Sequence, residues 1–283
     1  TGQSFGPSCP YCPYGFRNGR LVFENKETSS NELAPRDDLL AFFRANGDEL
    51  DHFLEVSGGE PLLNPCLDKI LGDEGLPGWF WAVTSNTLHA PMIRRLASAG
   101  ALARCVCWTA SYHPLSGKDE LYASNIRLLS EFGVGNIRAT VVVSVHTIEK
   151  IEAALDYLRV LPLAGYQFHV DSHGDLSKNP ELRQRVETTA PDVWQFAGHV
   201  PQGRMCDRHA QLMAVGADGT LYECVTKAYR NLDPICKVNG SVLLRELPRN
   251  VDYCDVPSFA VCDHVKHVPE AVHQIQEAIC VAH

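Results

Sequence analysis

The sequence lacks several features that would assign it to common classes of protein. It contains no run of roughly 18 consecutive apolar residues, the length that a membrane-spanning helix needs. Positive charge is scarce, with 25 Lys and Arg against 34 Asp and Glu and a formal net charge of −9, whereas a nucleic-acid-binding face needs clustered basic residues. No basic segment followed by an apolar one marks a secretory signal. We therefore expect a cytoplasmic protein that binds neither a membrane nor nucleic acid.

Cysteine, by contrast, is abundant, with 11 residues in a chain of 283. Where no secretory signal is visible, this number favours metal or cluster ligation over disulfides. Two cysteines lie near the start, three in the middle and six from Cys206 onward. The middle three, Cys66, Cys105 and Cys107, lie in or beside apolar segments, where a free cysteine packs as a small hydrophobic residue. We interpret these three as structural.

Strand and helix patterns alternate along most of the chain. Strands separated by helices of about 12 residues predict βαβ units and a parallel sheet. The predicted strands are 52–56, 79–84, 105–112, 137–145 and 166–170, and the predicted helices are 35–45, 90–98, 118–132, 148–159 and 180–197.

The number of βα units defines the fold class. Together with a strand at or before the N-terminus, the series makes six units, fewer than the eight of a full TIM barrel. The prediction is an α/β fold, a partial (β/α)6 TIM-like barrel over residues 1–198, followed by a small cysteine-rich domain over residues 199–283. Ligands of such barrels lie at the carboxyl ends of the strands.

Two short motifs lie about one predicted βα unit apart. Cys9-Pro10-Tyr11-Cys12 places two thiols around a proline and an aromatic residue. Ser57-Gly58-Gly59-Glu60-Pro61 follows the predicted strand 52–56, and its glycine pair lets the backbone approach a ligand closely. A glycine pair alone is also what a tight turn needs, so its interpretation as a binding motif depends on the cysteine motif.

Together the two motifs resemble the radical S-adenosylmethionine (SAM) enzymes. Their usual signature, Cys-x3-Cys-x-aromatic-Cys, supplies three thiolates to a [4Fe–4S] cluster. Cys9 and Cys12 match the last two ligands, and Tyr11 matches the aromatic position. The first ligand falls on Phe5, or on Ser4 if the loop has one extra residue. One thiolate is therefore absent, and three explanations stay open: a serine replacement, a ligand upstream of this chain, and a degenerate site.

The resemblance implies a SAM site at the ends of the strands. The segment Gly58, Gly59, Glu60 and Pro61 would receive the amino group of the methionine part of SAM, with Glu60 as the acceptor. In these enzymes the cluster supplies one electron to SAM and chelates it, and the resulting 5′-deoxyadenosyl radical abstracts hydrogen from a substrate. A reductant such as flavodoxin or ferredoxin would deliver that electron.

Later strands would add further contacts to SAM. Thr84-Ser85-Asn86 is similar to the family's Thr-Asn-Gly segment beside the sulfonium and ribose, so Ser85 and Asn86 are candidates. Ser111 would bind ribose hydroxyls, and Arg138 would pair with the SAM carboxylate, which its planar guanidinium suits. Two alternatives stay open: Ser85 and Asn86 cap the helix that follows, and Arg138 is a surface charge.

The C-terminal cysteines carry a second resemblance. Cys206, Gly219 and Cys224 are spaced like the Cys-x(9–15)-Gly-x4-Cys element of SPASM and twitch extensions, which bind auxiliary [4Fe–4S] clusters. Asp218-Gly219 also predicts a hairpin between two strands. A structural zinc site with four cysteines is the alternative. The expected ligands of one auxiliary cluster are Cys206, Cys224, Cys254 and Cys262, with Cys236 in reserve.

The resemblance thus implies an iron–sulfur oxidoreductase or maturase of the radical SAM, twitch or short SPASM type. Its substrate would be a peptide or a sugar or aminocyclitol. The alternative is a catalytically degenerate protein that binds SAM or a partner and holds a structural metal, which the missing thiolate favours.

Overall fold

A computed structural model describes most of the predicted barrel and part of the C-terminal region. The residues that it describes are 16–17, 20–23, 26–28, 33–47, 53–57, 60–76, 78–143, 147–170, 180–189, 213–223, 227–228 and 233–247. A small antiparallel sheet near the N-terminus comes first, and the sequence did not predict it. Its strands are β1 (Phe16–Arg17), β2 (Arg20–Phe23) and β3 (Lys26–Thr28).

A five-stranded parallel sheet follows, and the order of its strands is their order in the chain. Parallel neighbours require a crossover between strands, and helices provide it here. The strands are β4 (Phe53–Val56), β5 (Phe80–Ser85), β6 (Cys105–Tyr112), β7 (Ile137–Val143) and β8 (Gly165–Val170).

Proline and glycine residues mark several of the helix ends. Pro91 occupies the first turn of its helix, where its missing N–H costs nothing. Gly100 and Gly133 follow helices and adopt left-handed φ angles of 70° and 85°. The α-helices are α1 (Arg36–Ala45), α2 (Leu67–Leu71), α3 (Ala90–Ser98), α4 (Asp119–Glu131), α5 (Ile151–Arg159) and α6 (Pro180–Thr189).

The main core lies between the sheet and the helices. Because successive strand residues point to opposite faces, alternate residues of β5, β6 and β7 are buried against helices, and the indoles of Trp81 and Trp108 meet edge-on at 6.3 Å. The intervening residues form the opposite face, which is less buried and more polar and includes Glu55, Thr109 and Arg138. The buried apolar residues of the sheet are Trp81, Val83, Trp108, Ala110, Tyr112, Ile137, Ala139 and Val141.

The structure confirms an α/β fold whose parallel sheet matches a partial TIM-like barrel. Every predicted strand from 52 to 170 and every predicted helix is present, and most described ends shift by one or two residues. The exception is the helix predicted over 148–159, whose first three residues form a 3-10 turn before α5. The predicted sixth strand, at or before the N-terminus, lies outside the described residues, as do residues 190–197 of the last predicted helix. Among the described residues, no helix is both long and apolar enough to cross a membrane.

The hairpin predicted at Asp218-Gly219 is also present. Gly219 has a φ of 79°, which glycine adopts without steric cost. The hairpin packs against α1 through a small core of Phe42, Leu221, Val238 and Leu244. The turn joins the antiparallel strands β9 (Ala214–Val215) and β10 (Thr220–Tyr222), and a third strand, β11 (Cys236–Lys237), pairs with the other side of β10.

Candidate cofactor site

Glu60 is the centre of the polar groups at the carboxyl ends of the strands. It precedes the short 3-10 turn Pro61–Leu63, and its Oε1 accepts a hydrogen bond from the backbone N–H of Leu62 at 3.1 Å. The same oxygen accepts the hydroxyl of Ser85 at 2.7 Å, and Oε2 accepts the backbone N–H of Asn86 at 2.8 Å. The carboxylate therefore joins the loop after β4 to the loop after β5.

Burial and hydrogen bonds have opposite effects on the charge of Glu60, and one acceptor position of its carboxylate is not filled by a described donor. Burial raises the pKa of Glu60 above its ordinary value, and the hydrogen bonds from Ser85, Asn86 and Leu62 oppose that rise. A carboxylate has about four acceptor positions, and the described donors fill three of them. An ammonium group at the remaining position on Oε2 would stabilise the charged form.

The loop after β5 is fixed by its own hydrogen bonds. The Ser85 hydroxyl accepts the backbone N–H of Thr87 at 2.8 Å while it donates to Glu60, and the side chain of Ser85 is only 2% exposed. The Oδ1 of Asn86 accepts the backbone N–H of Leu88 at 2.9 Å. Ser85 therefore acts on the site through Glu60, and the prediction that it also contacts SAM stays a prediction.

The structure excludes one alternative for this loop, in which Ser85 and Asn86 cap the helix that follows. The residue that caps α3 is His89, whose Nδ1 accepts the backbone N–H of Met92 at 3.2 Å. Ser85 and Asn86 are therefore not the caps of that helix. Within the described residues, the amide nitrogen of the half-buried Asn86 has no hydrogen-bond acceptor and can donate to a ligand.

Ser111 and His113 lie at the end of the next strand. The Ser111 hydroxyl is half-buried on the open face of the sheet, and no described residue forms a hydrogen bond with it. Burial lowers the pKa of His113, which favours the neutral imidazole. The predicted site residues on β4, β5 and β6 therefore share one edge of the sheet.

Arg138 lies lower on the same face. It is opposite Thr109 in the parallel register, two residues before Thr140, which pairs with Ser111. Its Nε donates to Oδ1 of Asn136 at 3.1 Å, while the described residues provide no acceptor for its two terminal nitrogens. The guanidinium is exposed on the open face and retains the paired donors that a carboxylate requires.

The predicted cluster ligands lie outside the described residues. In the described part of the chain, no group of three His, Cys, Asp or Glu side chains is arranged to hold a metal ion. Pro61, the last residue of the glycine motif, is buried at the start of its 3-10 turn. The predicted site residues that the structure does not describe are Cys9, Tyr11, Cys12, Gly58, Gly59, Cys206, Cys224, Cys254 and Cys262.

The remaining cysteines differ in their surroundings. Cys66 and Cys105 pack against the main core, as predicted for structural residues, and burial raises the pKa of the Cys105 thiol. Cys107 instead lies in the row of residues on the open face, where burial raises the pKa of its thiol and the charge of Arg138 opposes the rise. Cys236, the reserve ligand, packs against the small core, and burial raises the pKa of its thiol too.

The chain has the fold of a partial parallel barrel, with polar groups at the carboxyl ends of its strands. Solved structures with this fold are known. No family model matches the chain, and no curated protein matches it in sequence. SuiB of Streptococcus suis bound to SAM is similar with a TM-score of 0.54 and 15% identity over 76% of this chain and 58% of that one. SuiB bound to its precursor peptide SuiA gives a TM-score of 0.54, 14% identity and coverage of 77% and 57%.

The chain thus spans less than two thirds of the length of the SuiB structures that it matches. At this identity the similarity shows the fold. That fold is the one that the resemblance found in the sequence implies.

Proposed function

We propose that this chain is a radical SAM enzyme, with a partial barrel and a small auxiliary-cluster domain, that binds SAM at the strand-end site. The observation that supports the proposal is the carboxylate of Glu60, which three protein donors hold in place at the mouth of the barrel. Its remaining acceptor position suits the ammonium of the methionine part of SAM. A SAM-bound protein with the same fold adds support.

The other predicted residues are proposed to bind the remaining parts of SAM. Arg138, whose two terminal nitrogens have no acceptor among the described residues, would pair with the carboxylate. The amide of Asn86 and the hydroxyl of Ser111 would bind the ribose, and Gly58 and Gly59 would let the backbone approach. Cys9 and Cys12 hold the [4Fe–4S] cluster, with Tyr11 between them. When bound, the cluster and SAM supply one-electron cleavage of a carbon–sulfur bond and abstraction of hydrogen from the substrate.

The C-terminal region, residues 199–283, is proposed to hold one auxiliary [4Fe–4S] cluster through Cys206, Cys224, Cys254 and Cys262. Support comes from the hairpin, because Cys224 follows β10 by two residues. Glu223, its neighbour in the sequence, is paired with Lys227 at 2.7 Å.

The proposed substrate is a peptide, since SuiB, a protein with this fold, binds a precursor peptide. A sugar or aminocyclitol is the second candidate. A flavodoxin or ferredoxin is proposed as the reductant.

The test of SAM binding is the substitution Glu60→Gln, followed by titration calorimetry. Both oxygens of Glu60 accept protein donors, so in either orientation the amide of glutamine turns its NH2 against one of them. Hydrogen bonds to a charged group contribute about 1.5–3 kcal/mol, so we expect SAM affinity to fall by about tenfold or more. Glu131→Gln, on the exposed end of α4, is the matched control and leaves affinity unchanged.

Failure of the wild-type chain to bind SAM would overturn the proposal, and unchanged affinity in Glu60→Gln would remove Glu60 from the site.

The missing thiolate favours a second function, a degenerate protein that binds SAM without cleaving it. Formation of 5′-deoxyadenosine on addition of dithionite separates the two, because only the enzyme produces it.

A further inference from the structure

Thr87 has an unusual backbone conformation directly behind the strand-end site. Its φ is 59°, in the left-handed region that a β-branched residue rarely occupies. The residue is completely buried, with 0% exposure. Such a conformation persists only where the surrounding structure enforces it, so the contacts of Thr87 identify what holds it.

Two side chains from other elements provide that enforcement. The indole nitrogen of Trp108 on β6 donates to the Thr87 hydroxyl at 3.0 Å. The amide nitrogen of Asn125 on α4 donates to the Thr87 carbonyl at 2.7 Å. Both side chains are buried, Trp108 with 0% and Asn125 with 1% exposure.

Asn125 is a buried polar residue on an apolar face of α4. It lies within the buried stripe of α4 beside Tyr122, Ile126 and Leu129. An amide in such apolar surroundings is unfavourable unless it is hydrogen-bonded. Its described partner is the carbonyl of Thr87, 38 residues away in the chain.

The contacts of Thr87 continue to Glu60. The Thr87 N–H donates to the Ser85 hydroxyl at 2.8 Å, which orients that hydroxyl so that its own proton reaches Glu60 at 2.7 Å. Asn86 lies between Ser85 and Thr87, and its N–H donates to the other oxygen of Glu60 at 2.8 Å. A change in the backbone of Thr87 would therefore displace two of the three donors that hold the carboxylate.

We propose that Asn125 is a positioning residue for the SAM site: its amide holds Thr87 in the left-handed conformation and thereby keeps Ser85 and Asn86 on the Glu60 carboxylate. This inference rests on the proposed function, in which Glu60 receives the ammonium of SAM. Asn125 itself acts from behind the loop, through Thr87.

The experiment compares Asn125→Leu with Tyr122→Phe. Leucine has the same branching and the same number of side-chain heavy atoms as asparagine, although it is larger, and it cannot donate to the Thr87 carbonyl. Tyr122→Phe is the matched control, because it removes a buried side-chain bond from the same helix, to the carbonyl of Ala110 on β6 at 3.0 Å, which involves no residue of the loop after β5. Asn125→Leu is expected to speed amide hydrogen exchange at Asn86 and Thr87 at least tenfold more than the control does, and to weaken SAM binding about tenfold.

A double variant distinguishes loss of the Thr87 conformation from a general loss of stability, because only the former can be reversed by glycine at position 87. Glycine adopts a left-handed φ without steric cost, so Thr87→Gly added to Asn125→Leu should recover most of the SAM affinity. If Asn125→Leu does not fold, Asn125→Ser, whose shorter side chain does not reach the Thr87 carbonyl, replaces it in the same comparison.

Exchange at Asn86 and Thr87 equal to that of the control would overturn the inference. So would faster exchange with unchanged SAM affinity, or a double variant that recovers nothing. If the wild-type chain fails to bind SAM, the proposed function fails. The exchange comparison still shows whether Asn125 fixes the donors of Glu60.

Discussion

The hydrogen bonds of Glu60 determine how its charge responds to pH. Burial favours its protonated form and the three donors favour its carboxylate, with a net rise of the pKa above the ordinary value of 4.5. The folded chain therefore binds this proton more tightly than the unfolded chain does. It follows that the stability contributed by Glu60 is fully present below the ordinary pKa and is lost as the pH rises through the raised one.

The proposed ligand reverses this preference. An ammonium beside Glu60 favours the carboxylate, so SAM binds the charged form more tightly. We expect SAM affinity to fall as the pH is lowered through the raised pKa of Glu60, and binding in that range to release a proton. Calorimetry in buffers of different ionisation enthalpy measures both effects. In Glu60→Gln the fall should disappear; a fall of equal size in that variant would show that another group is responsible.

The residues of the site differ in how far the sequence could reveal them. Glu60 stands in a recognisable motif, and the strand pattern placed Asn86 and Ser111 at the same edge of the sheet. Asn125 and Trp108 are 38 and 21 residues from Thr87, and their bonds to it exist only after β6 and α4 have packed. The left-handed φ of Thr87 carries no local signal either, because threonine rarely adopts it.

The elements themselves were predictable where their patterns were long enough to show a period. Strand β6 has eight residues whose burial alternates from Trp108 onward, so both its ends and its two faces could be assigned. The N-terminal strands have two to four residues each, too few for a period of two to appear. The sequence therefore predicted the barrel and missed the small sheet before it.

The hairpin provides a test at the scale of an element. Gly219 has a positive φ, and a methyl group there would lie 2.9 Å from the Cβ of Ala34, ahead of α1. Gly219→Ala should therefore destabilise the fold by about 1–2 kcal/mol from backbone strain, with about 1–3 kcal/mol more from overpacking. Urea denaturation measures the free energy of unfolding.

Two other glycines separate these causes. Gly117 has a φ of 64° and Gly135 has no positive φ, and a methyl group at either meets nothing within 4 Å. Gly117→Ala should lower the free energy of unfolding by the backbone strain alone. Gly135→Ala should show neither the strain nor the overpacking. If Gly219→Ala costs no more than Gly117→Ala, the contact between the hairpin and Ala34 is not tight.

Across the whole molecule, α1 connects the barrel with the C-terminal hairpin. Leu40 belongs to the main core, while Phe42 belongs to the small core of the hairpin. At the end of α1, the buried Asn46 donates to the carbonyl of Val242 and accepts the N–H of Leu244, both at 2.8 Å. A buried amide with these partners fixes the two units in one arrangement, because breaking it would leave both backbone groups unpaired.

The proposed function also requires two iron–sulfur clusters in the whole molecule. Cleavage of SAM requires a complete set of ligands for the N-terminal cluster, and one of its three thiolates is absent from the motif. A serine hydroxyl is a harder and less acidic donor than a thiolate, and iron–sulfur clusters favour sulfur. Ser4→Cys should therefore raise the iron content after anaerobic reconstitution from about four toward about eight atoms per chain, the sum of two [4Fe–4S] clusters. With dithionite and SAM, 5′-deoxyadenosine should then appear.

Phe5→Cys is the matched variant, because it places the thiol at the usual family spacing, whereas Ser4→Cys requires one extra residue in the loop. The variant that gains iron identifies the true alignment of the loop. Cys224→Ala should remove iron from the auxiliary site in either background, so the two clusters can be counted separately. If neither Ser4→Cys nor Phe5→Cys gains iron or forms 5′-deoxyadenosine, the first ligand does not lie at these positions, and the SAM site of this chain works either with a ligand from further upstream or without cleavage.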